Sequence, residues 1–175
     1  MKRVLALIVA LIFAVSLCGC NNELPTNESG LKAVSDDAFS FSLTWGVYGI
    51  SSYDSLTGKL VKTSDTAKPE DYTTYYWLTD EDMEYIYNLI VALDVYSYPD
   101  VYDPQSGLSS PDATLILTVR IGEEEKTVKA EHISLFFVSE DEKGQLFLDT
   151  CEAISDRLEA TAEWKALPDY PTLSE

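Results

Sequence analysis

The sequence predicts an α+β domain: an antiparallel sheet made of two hairpin-plus-helix halves, roughly ββ(β)α-ββα, with both helices on one face. Three observations predict it. Phe39 to Val47 and Ala113 to Ile121 alternate apolar with small or polar residues, the period of half-buried strands. Each half also carries one segment with apolar residues at helical spacing. And the order strand, strand, strand, helix, then strand, strand, helix favours hairpins with helices on one side over a parallel sheet.

The first strand reads Phe39-Ser40-Phe41-Ser42-Leu43-Thr44-Trp45-Gly46-Val47. Tyr48-Gly49-Ile50 is expected to extend it past a bulge at one of the glycines. Asp54-Ser55-Leu56-Thr57-Gly58 has turn chemistry, and Lys59 to Thr63 reads as the return strand of a hairpin. The polar stretch 64–71, with Pro69, is a loop. Tyr72 to Trp77 is rich in β-formers and reads as a third strand.

Thr79 opens the first helix. Its hydroxyl can accept from the amide of Asp82, and Leu78 and Met83 are placed for a hydrophobic staple. Asp80, Glu81 and Asp82 suit the positive end of the helix. Met83, Ile86, Tyr87, Ile90 and Leu93 form one continuous face, and the helix should stop near Asp94. Pro99 to Asp112 is a long loop broken by Pro104, Gly107 and Pro111.

In the second half Leu115, Leu117, Val119 and Ile121 share a strand face. Gly122-Glu123-Glu124 is the turn and Lys126 to Lys129 the return. Ile133 to Val138 is a continuous apolar run, read as a buried strand or an extension of this hairpin. Phe147, Cys151, Ile154 and Leu158 then form the stripe of a second helix from about Gln145 to Ala162. Pro168 and Pro171 end the regular structure.

Ahead of this domain lies a leader. Lys2 and Arg3 precede Val4 to Leu17, 14 residues that are almost wholly apolar. As a helix that run is roughly 21 Å long, short of the ~30 Å bilayer core, so it reads as a signal-peptide segment. It ends Leu17-Cys18-Gly19-Cys20 and turns polar at Asn21. These residues resemble the lipobox of bacterial lipoproteins; by themselves they leave a plain secretory signal or an uncleaved anchor as alternatives. The resemblance implies lipid transfer to the Cys20 thiol, cleavage after Gly19, and residence at the extracytoplasmic face of a cell membrane. A diacylglyceryl group supplies the two chains that stable anchoring takes. The expected organisation is a signal peptide (1–19), a lipid-anchored flexible tether (20–37), one domain (38–170) and a tail (171–175). The layout of the mature part, closing on Glu163-Trp164-Lys165-Ala166-Leu167-Pro168, resembles small uncharacterised domains of exported bacterial lipoproteins, a likeness that brings no site residues with it.

Composition narrows the function classes. The chain has 12 basic and 30 acidic residues. Loss of Lys2 and Arg3 with the leader would leave 10 against 30, a net charge of −20. Such a charge opposes nucleic-acid binding. Of three cysteines, only Cys151 would remain unmodified, so the fold relies on a hydrophobic core rather than on disulfides.

Candidate chemistry is sparse. His132, the single histidine, has no second histidine for a metal pair and reads as a strand-edge residue. Cys151 sits on the apolar helix stripe and reads as core. Asp100, Asp103 and Asp112 lie in or beside one loop, where oxygen ligands suit Ca²⁺, but their spacing matches no cation-loop pattern; no metal or other cofactor is expected. The chain has 11 tyrosines. Tyr75, Tyr76, Trp77, Tyr96, Tyr98 and Tyr102 flank the first helix and form the best candidate binding patch, since amphipathic aromatics near loops suit recognition of proteins, peptides or carbohydrates. No catalytic motif is present. The reading is a lipid-anchored, non-catalytic binding domain; the alternatives are a small tethered hydrolase using a carboxylate pair, or a structural envelope component.

Overall fold

The computed structural model describes residues 39–47, 50–105, 112–134, 136 and 138–169. The residues expected to form the leader, tether and tail, Cys20 among them, lie outside the described residues. The strands are β1 (Phe39–Gly46), β2 (Ser51–Asp54), β3 (Lys59–Val61), β4 (Thr73–Tyr75), β5 (Val101–Tyr102), β6 (Ala113–Ile121) and β7 (Glu124–Ile133). The helices are α1 (Asp80–Leu93), α2 (Glu142–Glu159) and the short α3 (Ala162–Ala166). The strands form one sheet in the order β4-β3-β2-β1-β6-β7-β5, antiparallel except for the β5–β7 pair.

Alternation decides which face of the sheet is covered. Leu43 stands opposite Tyr53 on β2 and Leu117 on β6, and Leu117 opposite Val128 on β7. All four are buried, together with Phe41, Trp45, Leu60, Leu115 and Val119. Ile86, Ile90 and Leu93 of α1 and Phe147, Cys151, Ile154 and Leu158 of α2 join the same core. Both helices therefore lie on one face, as the α+β reading predicts. Each fully buried large side chain contributes about 1.5–3 kcal/mol. The other face carries Ser42, Thr44, Ser52, Thr114, Thr118 and Thr127, a hydroxyl-rich surface of the kind a solvated antiparallel face shows.

The helix ends follow local chemistry. The Thr79 hydroxyl accepts from the Asp82 amide, and the Asp82 carboxylate accepts from the Thr79 amide, completing the capping box. Asp82 also ties the helices together, because Arg157 Nε on α2 lies 2.5 Å from its Oδ1. Burial alone would push the Asp82 carboxyl up. The hydrogen bonds from Thr79 and Arg157 and the Arg157 charge outweigh it and hold the group below its ordinary range.

Three expectations are corrected. The first strand does not run on to Ile50. The chain reverses between Gly46 and Ser51, and Ser51 returns opposite Trp45. The Asp54–Gly58 turn therefore joins β2 to β3, and the first half has one more strand than its pattern suggests. Ile133 to Val138 is not a buried strand: only Ile133 belongs to β7, and Phe136 is 83% exposed. The Gln105 side chain takes the place of a neighbouring strand there, accepting from the Ser134 amide and donating to the Val138 carbonyl. Finally, α2 starts at Glu142, because the Asp141 side chain accepts from the Gly144 amide and caps it three residues early.

Candidate functional site

The six aromatic residues of the candidate patch do not form one surface. Tyr75, Tyr76 and Trp77 are on or just after β4, and Tyr96, Tyr98 and Tyr102 are on or near β5. These strands are the two opposite edges of the sheet, about 29 Å apart at ~4.8 Å per strand.

The β5 group is mostly structural. Tyr98 is buried; its hydroxyl donates to the Lys143 carbonyl at 2.8 Å, and its ring meets Tyr102 edge-on and Phe147 tilted. The Lys143 ammonium sits 4.3 Å from that ring's centre. Tyr102 donates to Asp141 Oδ2 at 3.1 Å. Burial first, then the neighbouring acidic side chains, push both phenols up to about 12. Tyr96 donates to the Glu124 carbonyl at 3.3 Å. Together these rings brace the start of α2 against β7.

The β4 group stays open. Tyr75 is 62% and Trp77 63% exposed. Trp77 is nevertheless held in place. The indole lies against the backbone of Gly58, so close that a Cβ there would come within 2.8 Å of Cε2. The Gly58 carbonyl accepts from the Tyr76 amide at 2.7 Å, and the buried Tyr53 hydroxyl donates to the Tyr76 carbonyl at 3.1 Å. Burial pushes the Tyr53 phenol up to about 12, so it stays a donor. Gly58 has φ +67, which the turn between β2 and β3 needs and which glycine adopts at little cost. Exposed Leu56 lies in the same turn. The sequence marks both only as turn residues; the signal that sets them apart is an apolar side chain in a turn near an aromatic strand.

The acidic and nucleophilic candidates do not adjoin the β4 edge. Asp100 pairs with Lys126 at 2.5 Å and Asp103 with His132 Nδ1 at 2.8 Å. Asp112 is exposed and lines a shallow depression of about 310 Å³ with Thr114, Lys129, Glu131 and His132. Among the described residues no group of three or more His, Cys, Asp or Glu side chains could hold a metal ion. His132 sits where β7 has an extra residue relative to β6, between Ala130 and Ile133, and it takes φ 56. Histidine adopts this left-handed conformation more readily than most residues. Cys151 is fully buried, and burial pushes its thiol up, away from the reactive thiolate. Cys20 lies outside the described residues.

No family model matches the chain, and a search of curated proteins finds no match to it. Among the described residues no helix is long and apolar enough to cross a membrane.

Proposed function

We propose that this chain is a non-catalytic binding domain, held at the extracytoplasmic face of a membrane by a lipid on Cys20. The observation that carries the binding reading is the braced aromatic edge at β4. A monomer normally leaves large apolar side chains exposed singly. Here Tyr75 and Trp77 are exposed on or just after β4 and Leu56 in the β2–β3 turn, while two hydrogen bonds, to Gly58 and from Tyr53, pin the Tyr76 main chain and the Trp77 indole rests on Gly58. Rigid aromatics of this kind give contact area at low entropic cost. The anchoring reading rests on the Leu17-Cys18-Gly19-Cys20 resemblance.

One preparation tests both. A photo-crosslinking amino acid is placed at position 77, or at the exposed helical position 91 as control, in cells fed a labelled fatty acid. The expected result is fatty-acid label on the wild type, none on Cys20→Ala, and a discrete crosslinked species from position 77 but not from 91. Equal labelling of Cys20→Ala would overturn the anchor. Crosslinks that are absent, or the same from both positions, would overturn the binding reading.

A further inference from the structure

The β4 edge offers more than two rings. Lys62 and Tyr72, and Gly58 and Tyr76, are joined across β3 and β4 by main-chain hydrogen bonds. In an antiparallel ladder such bonded pairs alternate with non-bonded ones. Lys59 opposite Tyr75, and Val61 opposite Thr73, are therefore the non-bonded pairs. The N–H and C=O of Tyr75, and the C=O of Thr73, thus point away from β3, outward from the sheet. The Thr73 N–H is taken by the Glu70 carbonyl. The outermost strand presents these main-chain groups beside the exposed Tyr75 ring, with exposed Trp77 two residues further on, and an open main-chain edge is what strand addition of an extended peptide requires.

Charge selects the partner. From Pro69 to Val119 the chain has ten acidic residues and no Lys or Arg. Glu70 and Asp71 precede β4, and Asp80, Glu81 and Glu84 follow it; all five are exposed. Three cations lie near this edge: Lys59, which shares the Tyr75 row and stands opposite Asp54 on β2, Lys62, which is opposite Tyr72 and paired with Asp169, and exposed Lys68, just before Pro69; the five exposed acids outnumber them. A second copy of the chain is a poor occupant, because each carries a net charge of −18 and the two would repel. A peptide bearing Lys or Arg gains from the acidic flanks and can place its cations over the faces of Tyr75 and Trp77.

Resting on the binding reading above, we infer that the β4 edge takes an extended, Lys- or Arg-bearing peptide segment by strand addition, with Tyr75 and Trp77 receiving its side chains.

The test uses the full-length protein in detergent micelles and a fluorescent peptide of alternating Lys and Val. Controls are the Glu/Val peptide and a Lys/Val peptide with alternate amides N-methylated. Two variants separate ring from backbone: Tyr75→Val keeps the outward N–H, and Tyr75→Pro removes it. Because that N–H does not bond β3, proline is compatible with this edge position. The expected result is at least tenfold weaker binding of the Glu/Val and N-methylated peptides. Tyr75→Pro should bind at least tenfold more weakly than Tyr75→Val, with the circular dichroism of both unchanged. Equal binding by the two variants, or by the N-methylated peptide, overturns strand addition. A tryptophan emission change with a neutral N-acetylglucosamine oligomer, lost in Trp77→Phe and not seen with the Lys/Val peptide, overturns the proposal in favour of a carbohydrate platform. A dimer in sedimentation that Tyr75→Pro abolishes overturns it in favour of self-pairing. If the peptide fails while the position-77 crosslink persists, this inference falls and the binding reading stands. If both fail, both fall.

Discussion

Replacing Gly58 by alanine tests how Trp77 is held. Two effects act together. The first is conformational. Gly58 has φ +67, and a residue with a Cβ pays about 1–2 kcal/mol to sit in left-handed space, offset by ~0.4–1 kcal/mol from a less flexible unfolded chain. The second is steric. The new Cβ would fall 2.8 Å from Trp77 Cε2 and 3.1 Å from the Tyr76 carbonyl oxygen. The indole must lift away, since the carbonyl is fixed by Tyr53. Trp77 is 63% exposed, so roughly a third of a ~250 Å² side chain is covered, and losing all of that cover costs up to about 2 kcal/mol at ~25 cal/mol per Å². Gly122 supplies an internal control. It has φ +62, and a Cβ there meets nothing within 4 Å. Gly122→Ala should therefore cost roughly 0.5–1 kcal/mol, and Gly58→Ala roughly 1.5–3 kcal/mol with the steric part added. Urea unfolding of both variants measures the difference, and acrylamide quenching in a Trp45→Phe/Trp164→Phe background reports the loosened Trp77. Most of the excess at Gly58 should be lost in a Trp77→Ala background, a double-mutant cycle, with only the closer approach to the Tyr76 carbonyl left. Equal costs at the two glycines, or an excess undiminished by Trp77→Ala, would refute the indole contact as the cause.

Three further measurements follow from the same geometry. Asp82 titrates lower in the folded chain than in the unfolded one. Its contribution is thus complete above the ordinary Asp range and is lost as pH falls through the folded value. Asp82→Ala should cost roughly 1–3 kcal/mol at pH 7, and urea melts of variant and wild type should converge as pH drops below about 4; a gap independent of pH would contradict the ion pair. Cys151 should resist a thiol reagent in the native protein and react in urea, and Cys151→Ser should cost roughly 1–3 kcal/mol by burying a hydroxyl in apolar surroundings. At His132, φ 56 and the bond to Asp103 can be separated. His132→Gly and His132→Ala both lose the bond, but only alanine keeps the backbone penalty, so alanine should be the less stable by about 1 kcal/mol in the same melts.

The elements most legible in the sequence are those whose pattern is decided by a single neighbour, the core. Phe39 to Gly46 and Ala113 to Ile121 alternate because one side of each strand is buried, and the Phe147, Cys151, Ile154, Leu158 stripe is buried throughout. What stayed illegible depends on distant partners. The two residues of β5 form a strand because Val101 and Tyr102 lie beside Lys129 and Ala130, and two residues have no period. The 133–138 run is apolar enough for a strand, but Gln105 reaches across from another loop and takes the main-chain groups of Ser134 and Val138.

The candidate site was obscured for a different reason. Tyrosines on both sides of one helix look like a cluster when read along the chain, yet a 14-residue helix carries its two flanks about 21 Å apart. Here α1 takes the chain from the β4 edge to the β5 edge. The two flanks then meet different needs. At β5 the first turns of α2 bring Phe147 and Lys143 against the sheet, and Tyr98 and Tyr102 are consumed in covering them. At β4 the core side is already closed by Leu60 and Tyr53, and the residue beneath Trp77 is a glycine. With no side chain at Gly58 to enclose it, the indole is supported on one side and left open to solvent elsewhere. The identity of residue 58, more than the count of tyrosines, is what separates a braced exposed aromatic from a buried one.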